Sequence, residues 1–429
     1  MMSKFPKASR TAAALALAIA GVCAQAQTPA APPASAASAP AEAARPEVAK
    51  ALSAAQALNK EGKFADALAK VREAEAVGNL TPYEAFFADR IRAAAALGAG
   101  DVPLTIKSLE SALATNRLAG EELLDVLRAL ADLHYRNKDY AKSAEAARRF
   151  LKEGGNDKSV HTILINDLYL SGDHAGASRE ILVQVKADEA AGQPTSEQLL
   201  RMLASSQAKT NDNAGYAQTL ERLVARYPKP ELWADLIWRV QSQPTFADHL
   251  RLDAYRLRLA TGSMEQAAEY VEMAQLALAA GYPAEAQKVV DQGFANGKLG
   301  TGANAKAHQQ LRDQARRQAA SDAPTLAQAS TAPAGGRDGN ATANLGFALA
   351  TAGQADKGVP LLEQGLAKGG LKRPEEARLH LGIAQWMAGQ KDAAVKTLKA
   401  VQGNDGTADL ARLWSLLAQG PATGATAKQ

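Results

Sequence analysis

An internal repeat constrains the fold of this chain more than any other feature of its 429 residues. The segment from Val289 to Leu299 reappears from Leu361 to Leu371, about two helix-pair repeats later, with matched apolar, carboxylate and glycine positions. Repetition at a fixed offset is typical of stacked supersecondary units, each too small to bury its own apolar face. The sequence therefore predicts an array of such units, which presents a long contact surface.

From Glu47 onward, apolar residues recur at helical spacing, and clusters of Gly, Asn, Asp or Pro interrupt them at intervals of one helix length. Five of these interruptions share one pattern, a turn residue followed one helical turn later by a small residue: Gly62–Ala67, Lys138–Ser143, Gly172–Ala177, Gly281–Ala286 and Gly389–Ala394. Glycine adopts the left-handed conformation that ends a helix, and the small residue lets two antiparallel helices approach closely. The pattern indicates helix-turn-helix units.

Two helices that precede such turns carry an interior glycine, in the pairs Leu345-Gly346 and Leu381-Gly382. An interior glycine costs a helix about 1 kcal/mol relative to alanine. That cost is tolerable where the missing side chain admits a neighbouring helix, so close helix contacts are predicted at both positions.

In these features the chain resembles the tetratricopeptide repeat (TPR) family, whose 34-residue unit places Trp, Leu-Gly, an aromatic residue, Ala, a second aromatic residue and Pro at set intervals. Trp233 followed by Leu236 also fits the pattern. Several units depart from it by using alanine or isoleucine for glycine, by lacking the terminal proline, and by running slightly longer than the family unit. The resemblance covers most of Glu47 to Gly420 and implies an all-α fold, a right-handed superhelical solenoid of antiparallel helix pairs.

Residues 1–26 have the pattern of a removable export signal. Three cations precede an apolar run from Ala12 to Val22, and Ala24-Gln25-Ala26 offers small residues at the positions a signal peptidase inspects. The run is shorter than the roughly 20 residues needed to span a bilayer, and no comparable run follows, so no transmembrane segment is predicted. The sequence therefore predicts periplasmic localisation.

The cysteine content and the net charge of the chain argue against lipid anchoring and against a nucleic-acid partner. The only cysteine is Cys23, and the residue before it is Val22, whereas a lipoprotein would have glycine or alanine at that position. Lipid anchoring is therefore disfavoured, and cleavage after residue 26 would discard the only thiol. Cleavage after residue 26 removes three cations and no anions, which leaves 46 Lys and Arg against 45 Asp and Glu, or a net charge near +1. Because nucleic-acid binders normally show a basic face, no nucleic-acid partner is predicted.

Composition divides the remainder of the chain. Residues 27–46 form an Ala- and Pro-rich linker with too little large apolar surface to order, and residues 421–429 form a tail of similar composition. A TPR-like array is predicted for 47–320, a flexible loop for 321–337, and carboxy-terminal TPR-like repeats for 338–420, with a capping helix from Asp405 to Gln419. Repeat boundaries between 214 and 262 stay open.

No catalytic or metal-binding motif is apparent. No two of the six histidines are three or four residues apart, as a zinc-protease helix requires; they are at positions 134, 161, 174, 249, 308 and 380. Each is therefore expected on a helix surface or partly buried. The alternative is that a histidine binds a metal together with residues distant in the sequence. The acidic pair Glu375-Glu376 lies at a predicted helix start and complements the macrodipole. The sequence therefore predicts no enzyme activity, no metal site and no cofactor.

The resemblance implies where binding residues should lie, because in the TPR family the first helix of each unit lines the concave face. Projected onto this chain, that geometry gives eight candidate protein-binding residues: Arg128, Asp132, Tyr135, Asn166, Tyr169, Arg201, Trp238 and Trp386. Aromatic and arginine side chains dominate interface energies. Core packing is the alternative for the two tryptophans, and an exposed ion pair is the alternative for Arg128 with Asp132.

The resemblance and the export signal together imply a scaffold or adaptor that binds a protein or peptide ligand in its concave groove. Secretion, pilus biogenesis, outer-membrane assembly and polysaccharide export are the processes the resemblance implies, with a cell-envelope complex as the expected setting. Two alternatives stay open, a repeat-containing cell-wall or polysaccharide hydrolase and a purely structural homo-oligomer.

Overall fold

A computed structural model describes residues 43–331 and 338–420, and within those ranges every regular element is a helix. The all-α prediction is confirmed. The predicted signal peptide, residues 27–42 of the predicted linker, residues 332–337 and the predicted tail 421–429 lie outside the described residues. The chain divides into two compact units, unit 1 ending at Ile181 and unit 2 beginning at Leu182.

The described part of unit 1, from residue 43 onward, contains seven complete helices and the start of an eighth. They are α1 Pro46–Lys60, α2 Phe64–Ala76, α3 Pro82–Ala99, α4 Val102–Ala114, α5 Gly120–Arg136, α6 Tyr140–Lys152, α7 Lys158–Leu170 and α8 His174–Ala190, which crosses the boundary.

Unit 2 contains the remaining helices of the described ranges and a short 3₁₀ turn, Asp248–Leu250. They are α9 Glu197–Lys209, α10 Asn213–Arg226, α11 Pro230–Gln241, α12 Arg251–Ala260, α13 Ala267–Ala279, α14 Pro283–Ala295, α15 Ala305–Thr331, α16 Gly339–Thr351, α17 Ala355–Lys368, α18 Pro374–Met387, α19 Lys391–Lys399 and α20 Thr407–Gln419.

The turn pattern predicted from the sequence is confirmed in all five places. The turn residues have positive φ, namely Gly62 (74°), Lys138 (63°), Gly172 (88°), Gly281 (80°) and Gly389 (75°). The small residues that follow are fully buried: Ala67, Ser143, Ala177, Ala286 and Ala394. A left-handed residue ends each first helix, and a side chain of minimal size at the contact lets the second helix return against it.

Unit 1 follows the expected repeat packing. Consecutive helices pack as antiparallel pairs, and alternate helices, α1 with α3 and α5 with α7, also lie against each other. The core between α5, α6 and α7 includes Leu127, Leu130, Phe150 and Leu164. Burial of each such side chain is worth roughly 1.5–3 kcal/mol. This packing holds α5 and α7 side by side.

Glycines bring α16 and α17 into direct backbone contact, as predicted for Gly346. A Cβ atom added at Gly346 would lie 2.7 Å from the carbonyl oxygen of Gly358, closer than real Cβ atoms approach, and Gly358 faces the same conflict with Gly346. At Gly382 the added Cβ would meet the side chain of Leu398, at 2.5 Å from its Cγ. The α18 glycine therefore accommodates a side chain, whereas the α16 glycine accommodates a helix backbone.

Unit 2 departs from nearest-neighbour stacking. Helix α20, close to the predicted 405–419, packs against α10, α11 and α12 as well as against α18 and α19. The backbone N–H of Ala247 donates to the carbonyl of Asp405 (2.9 Å), and Arg412 forms an ion pair with Glu221. Trp414 is fully buried. In a simple stack each repeat touches only its neighbours, which does not hold here, because α10, α11 and α12 also cover α20.

The flexible loop predicted for 321–337 is wrong for 321–331, which continue α15 through Pro324. The prediction relied on the proline and on the lack of apolar periodicity. Alanine-rich sequence favours a helix even without an apolar stripe, because alanine has the highest helix propensity. The two copies of the repeated segment occupy equivalent places, since each begins in the second helix of a pair, α14 or α17, and runs past the carboxy-terminal end of that helix.

The predicted linker also ends too late, at residue 46. Helix α1 begins at Pro46, and the side chain of Arg45 donates through Nε and Nη2 to the carboxylate of the buried Glu84 (2.9 and 2.8 Å). Arg45 therefore belongs to the folded array.

Across residues 43–331 and 338–420, no helix combines the length and the apolar character needed to cross a bilayer.

Candidate functional site

Five of the eight predicted binding residues lie on α5 and α7 in unit 1 and form what we call the α5–α7 surface: Arg128, Asp132, Tyr135, Asn166 and Tyr169. All five are exposed or half-buried. Spacings of four and three residues on α5, and of three on α7, place the side chains of each helix on one face. Because α5 packs against α7, the two stripes lie on neighbouring helices.

Arg128 contacts carboxylates from both helices. Its Nη2 donates to Asp125 (2.6 Å), and its Nη1 lies 3.7 Å from Asp157, whose side chain caps the start of α7. Asp132 pairs with Arg136 (2.9 Å) and not with Arg128, so the proposed ion pair between Arg128 and Asp132 is wrong. Exposed pairs of this kind are worth about 0–1 kcal/mol. Breaking these ion pairs would therefore require little free energy, so the half-exposed Arg128 is available to contact a ligand.

The tyrosines of the α5–α7 surface are braced by other rings. Tyr135 has its ring centroid 6.0 Å from that of Tyr140, and Tyr169 meets the ring of His174 edge-on at 5.3 Å. Both tyrosines remain half-buried, with part of each ring open to solvent. Rings held this way lose little side-chain entropy on binding, which suits them to recognition.

Beneath this surface lies a buried carboxylate without a counterion. Asp167 on α7 is fully buried, and neither of its oxygens has a hydrogen-bond partner of good geometry among the described residues. The nearby hydroxyl of Ser143 donates instead to the carbonyl of Ala131 (2.8 Å). Burial raises the pKa of Asp167 to about 6, because the charged form loses its water and the Ser143 hydroxyl offsets only part of that loss.

In unit 2, Arg201 repeats the arrangement of Arg128. Its Nε donates to Glu197 on its own helix (2.7 Å), and its Nη2 lies 3.7 Å from Glu231 in the first turn of α11. Both arginines therefore link the first helices of successive pairs. The two arginines therefore occupy equivalent positions, and each has a structural role.

The two candidate tryptophans of unit 2 have different environments. Trp238 on α11 is 57% exposed. Trp386 on α18 is half-buried and packs edge-on against Trp414, with ring centroids 5.1 Å apart. Core packing thus accounts for Trp386 in part and does not account for Trp238.

A polar pocket between α16 and α18, which sequence reasoning missed, has a volume of about 150 Å³. Six of its lining residues carry polar side chains: Asn340, Asn344, Lys372, Arg373, Glu376 and His380. Asn340 shapes one wall, since its Oδ1 accepts from the backbone N–H of Lys372 (2.9 Å) and its Nδ2 donates to the carbonyl of Gly370 (3.1 Å). We call this cavity the α16–α18 pocket.

A buried charge network lies behind the α16–α18 pocket. Arg256 on α12 donates through Nε and Nη2 to both oxygens of Glu285 (2.8 and 2.7 Å) and through Nη1 to Asp253 (2.7 Å). Asp253 Oδ1 is also 3.0 Å from Nε2 of His380, which lines the pocket. Burial by itself would raise the pKa of Asp253, but His380 and Arg256 outweigh burial and hold that pKa well below its usual range.

Aromatic rings enclose this network. The Arg256 guanidinium lies 4.6 Å from the centroid of Phe347 and 5.0 Å from that of Tyr282. Phe347 in turn stacks on the imidazole of His380, with centroids 3.8 Å apart and planes 4° from parallel. These contacts join α12, α14, α16 and α18, and they fix the orientation of the His380 ring.

A second histidine approaches the network from the 3₁₀ turn. Nε2 of His249 lies 3.4 Å from Oε2 of Glu376 and 3.9 Å from Oδ2 of Asp405. No local motif could have revealed this arrangement, because His249 and His380 stand in repeats that are far apart along the chain. Only the spacing of Glu376 and His380, one helical turn apart on α18, was visible in the sequence.

Stacked antiparallel helix pairs with small residues at the turns define a helical-repeat protein. A family model described as "Tetratricopeptide repeat" matches residues 198–230 and 376–405, which correspond to the pairs α9–α10 and α18–α19. These two helix pairs are therefore similar to tetratricopeptide repeats. No curated protein is significantly similar to it in sequence.

Three solved structures illustrate the range of structural likeness. A chain in the structure of Naa15/Naa10 bound to HypK-THB is 13% identical with a TM-score of 0.29, and the match covers 85% of this chain but 58% of that one. The TPR domain of P58(IPK) is 13% identical with a TM-score of 0.22, covering 87% and 97%. Yeast Tom70 is 12% identical with a TM-score of 0.24, covering 86% and 95%. At these identities the likenesses carry no information about a partner.

Proposed function

We propose that this protein is an exported scaffold that binds an extended polypeptide on the α5–α7 surface. The observation that carries the proposal is the presence of partly exposed, ring-braced Tyr135 and Tyr169 beside the half-exposed Arg128 on adjacent first helices. The family match supports protein binding in general. Binding, and not catalysis, is the proposed activity.

The chemistry of the α5–α7 surface favours a polypeptide over a nucleic acid. Its arginine is balanced by Asp125 and Asp157, and Asp132 is paired with Arg136, so no basic stripe forms among these described residues. A polypeptide offers amides, which the Asn166 side chain can pair with as donor and acceptor, and apolar side chains that pack on tyrosine rings. The proposed ligand is therefore an extended segment of mixed polarity.

Export and an envelope role rest on the signal pattern in residues 1–26. The proposed setting is an envelope assembly, secretion or export complex. Mass spectrometry of the protein recovered from the periplasm of the producing bacterium tests this part directly, with Gln27 expected as the first residue. Recovery only from the cytoplasm, with residues 1–26 intact, would refute export without touching the binding proposal.

Site-specific photo-crosslinking in living cells tests the surface. A photoreactive phenylalanine analogue at Tyr135 or Tyr169 is expected to crosslink to one discrete protein. The same analogue at Arg148, which is 54% exposed on the second helix α6, serves as a matched control. Equal capture from all three positions, or none from Tyr135 and Tyr169, would rule out this surface.

The alternatives give distinct outcomes in simple measurements. A structural homo-oligomer would crosslink to itself and would show a concentration-dependent sedimentation coefficient. A cell-wall hydrolase would release soluble fragments from purified peptidoglycan. The scaffold proposal expects a hetero-crosslink and no release.

A further inference from the structure

Three nitrogen and oxygen donors from distant parts of unit 2 converge at the α16–α18 pocket, and a fourth, Nε2 of His249, lies beside one of them. Oδ1 of Asp253 and Nε2 of His380 are 3.0 Å apart, and Oε2 of Glu376 and Nε2 of His249 are 3.4 Å apart. Ligand atoms of Asp253, Glu376 and His380 all lie within 4.8 Å of one another. We propose that His249, Asp253, Glu376 and His380 form a site for a zinc ion.

The separations suit tetrahedral coordination. Zinc binds imidazole nitrogen and carboxylate oxygen at about 2.0–2.2 Å, which places neighbouring donors of a tetrahedron roughly 3.3–3.5 Å apart. Two of the donor pairs already have separations near that value. The ligand atoms of Asp253, Glu376 and His380 lie within 4.8 Å of one another, and the partly exposed side chains of His249 and Glu376 have room to rotate.

One of these donors has no hydrogen bond within the described ranges. Nε2 of His249 is buried and makes no hydrogen bond to a described residue, although it points to within 3.4 Å of a carboxylate. A hydrogen bond joins His380 to Asp253, whereas this nitrogen has only longer charge contacts, with Glu376 at 3.4 Å and with Asp405 at 3.9 Å. A metal ion between His249 and Glu376 would satisfy it, since zinc is bound by the lone pair of a neutral imidazole.

The surroundings meet two further requirements of a zinc site. Asp253 and Glu376 supply two negative charges. Two hydrogen bonds to Glu285 balance the positive charge of Arg256, and Arg373, which lies 3.4 Å from Glu376 Oε2, is 58% exposed and free to turn to solvent. Outer groups also orient the ligands, as zinc sites require. Arg256 holds Asp253 Oδ1 at 2.7 Å, and the stacked ring of Phe347 fixes His380.

The choice of metal follows from the donor set. Two imidazoles with two carboxylates suit zinc, whereas magnesium and calcium prefer oxygen donors and six or more ligands. The site joins the 3₁₀ turn and α12 to α18, all within unit 2. Zinc would therefore stabilise the contact between the middle and the carboxy-terminal helices of that unit, independently of the α5–α7 surface.

Calorimetric titration of the chelator-treated, tag-free mature protein with zinc chloride tests the site. One zinc ion per chain is expected, with magnesium chloride giving no binding. His249→Ala and Glu376→Gln are each expected to weaken zinc binding by about 10- to 100-fold or more. His161→Ala is the matched control, because His161 also faces one carboxylate, Glu180 at 3.0 Å, and it should bind zinc like the wild type.

Tryptophan fluorescence and the thermal midpoint of unfolding distinguish a loss of zinc binding from a loss of folding in the variants. His249 is the most exposed of the four ligands, so His249→Ala is expected to retain the wild-type tryptophan fluorescence. Zinc should raise the thermal midpoint of the wild type and of His161→Ala, and should leave that of His249→Ala unchanged. Absence of stoichiometric binding, or equal binding by His249→Ala and the wild type, would overturn the proposal.

Discussion

Asp167 in unit 1 and Asp253 in unit 2 are both fully buried, yet their carboxyl groups are shifted in opposite directions. Burial raises the pKa of Asp167 to about 6, whereas His380 and Arg256 lower that of Asp253 against the effect of burial. Asp167 is surrounded by helices of its own and the preceding pair, and no cation among the described residues pairs with it. In unit 2 the partner His380 arrives from 127 residues away.

The opposite pKa shifts of Asp167 and Asp253 show that a repeat array that folds back on itself can bring distant partners to a buried polar group, which a simple stack cannot. Nearest-neighbour stacking limits each buried polar group to partners from adjacent helices. When α18 and α20 return to α12, they bring an imidazole and new carboxylates to a position that the local sequence cannot reach. Chemistry requiring several converging groups is therefore expected in unit 2, and surface recognition in unit 1.

Removal of Arg256 is expected to have the largest effect, because it converts Asp253 and Glu285 into buried carboxylates without their shared cation. Arg256→Met should destabilise unit 2 by about 3–5 kcal/mol. All four tryptophans, at 233, 238, 386 and 414, lie in unit 2, so fluorescence during guanidinium unfolding reports on this unit alone.

Arg201→Met is the control for that experiment, since Arg201 forms exposed pairs in the same unit. It should cost about 1 kcal/mol or less. Equal losses from the two substitutions would show that the buried network contributes no more than a surface pair.

A second expectation concerns the pH dependence of unit 1. An ordinary aspartate in the unfolded chain has a pKa near 3.9, below the folded value of about 6 for Asp167. As pH rises through this window the unfolded chain releases its proton first, so this group lowers stability between about pH 4 and pH 6, by roughly 2–3 kcal/mol in all, and the loss then levels off.

Asp167→Asn should remove that part of the pH dependence. Hydrogen exchange of peptides from α5 to α7, measured at pH 4.5 and pH 7.5 with intrinsic exchange rates corrected, gives the stability of unit 1 in both proteins. The wild type should lose more protection than Asp167→Asn on going to the higher pH. Parallel behaviour of the two proteins would mean that Asp167 is solvated or paired.

The smallest effect is expected from the glycine contact that positions Phe347 over the network. Gly346→Ala gains about 1 kcal/mol of helix propensity but forces α16 away from α17, at a typical cost of about 1–3 kcal/mol. A net loss of up to about 2 kcal/mol by tryptophan fluorescence is predicted. Gly382→Ala meets only the movable side chain of Leu398 and should be nearly neutral, so a larger loss at Gly382 would contradict the backbone-contact explanation.

Much of the fold could be predicted because the structure of a repeat protein depends largely on local interactions. The turn residues, the buried small residues after them and the glycine contact at Gly346 all follow from patterns within one helix pair. The loop predicted for 321–331 failed because proline and weak periodicity were weighted above alanine content. For the candidate site, the sequence located residues on the first helices, and Arg128 and Arg201 proved equivalent, but their ion-pair partners were not predicted.

The sequence by itself determined that this protein is built of antiparallel helix pairs, because helical periodicity, left-handed turns and small contact residues all act within a single pair. Tertiary structure alone decided that His249, Asp253, Glu376 and His380 meet. Their meeting depends on the apolar face of α20 being buried against α10, α11 and α12, a long-range packing choice that leaves no local signature.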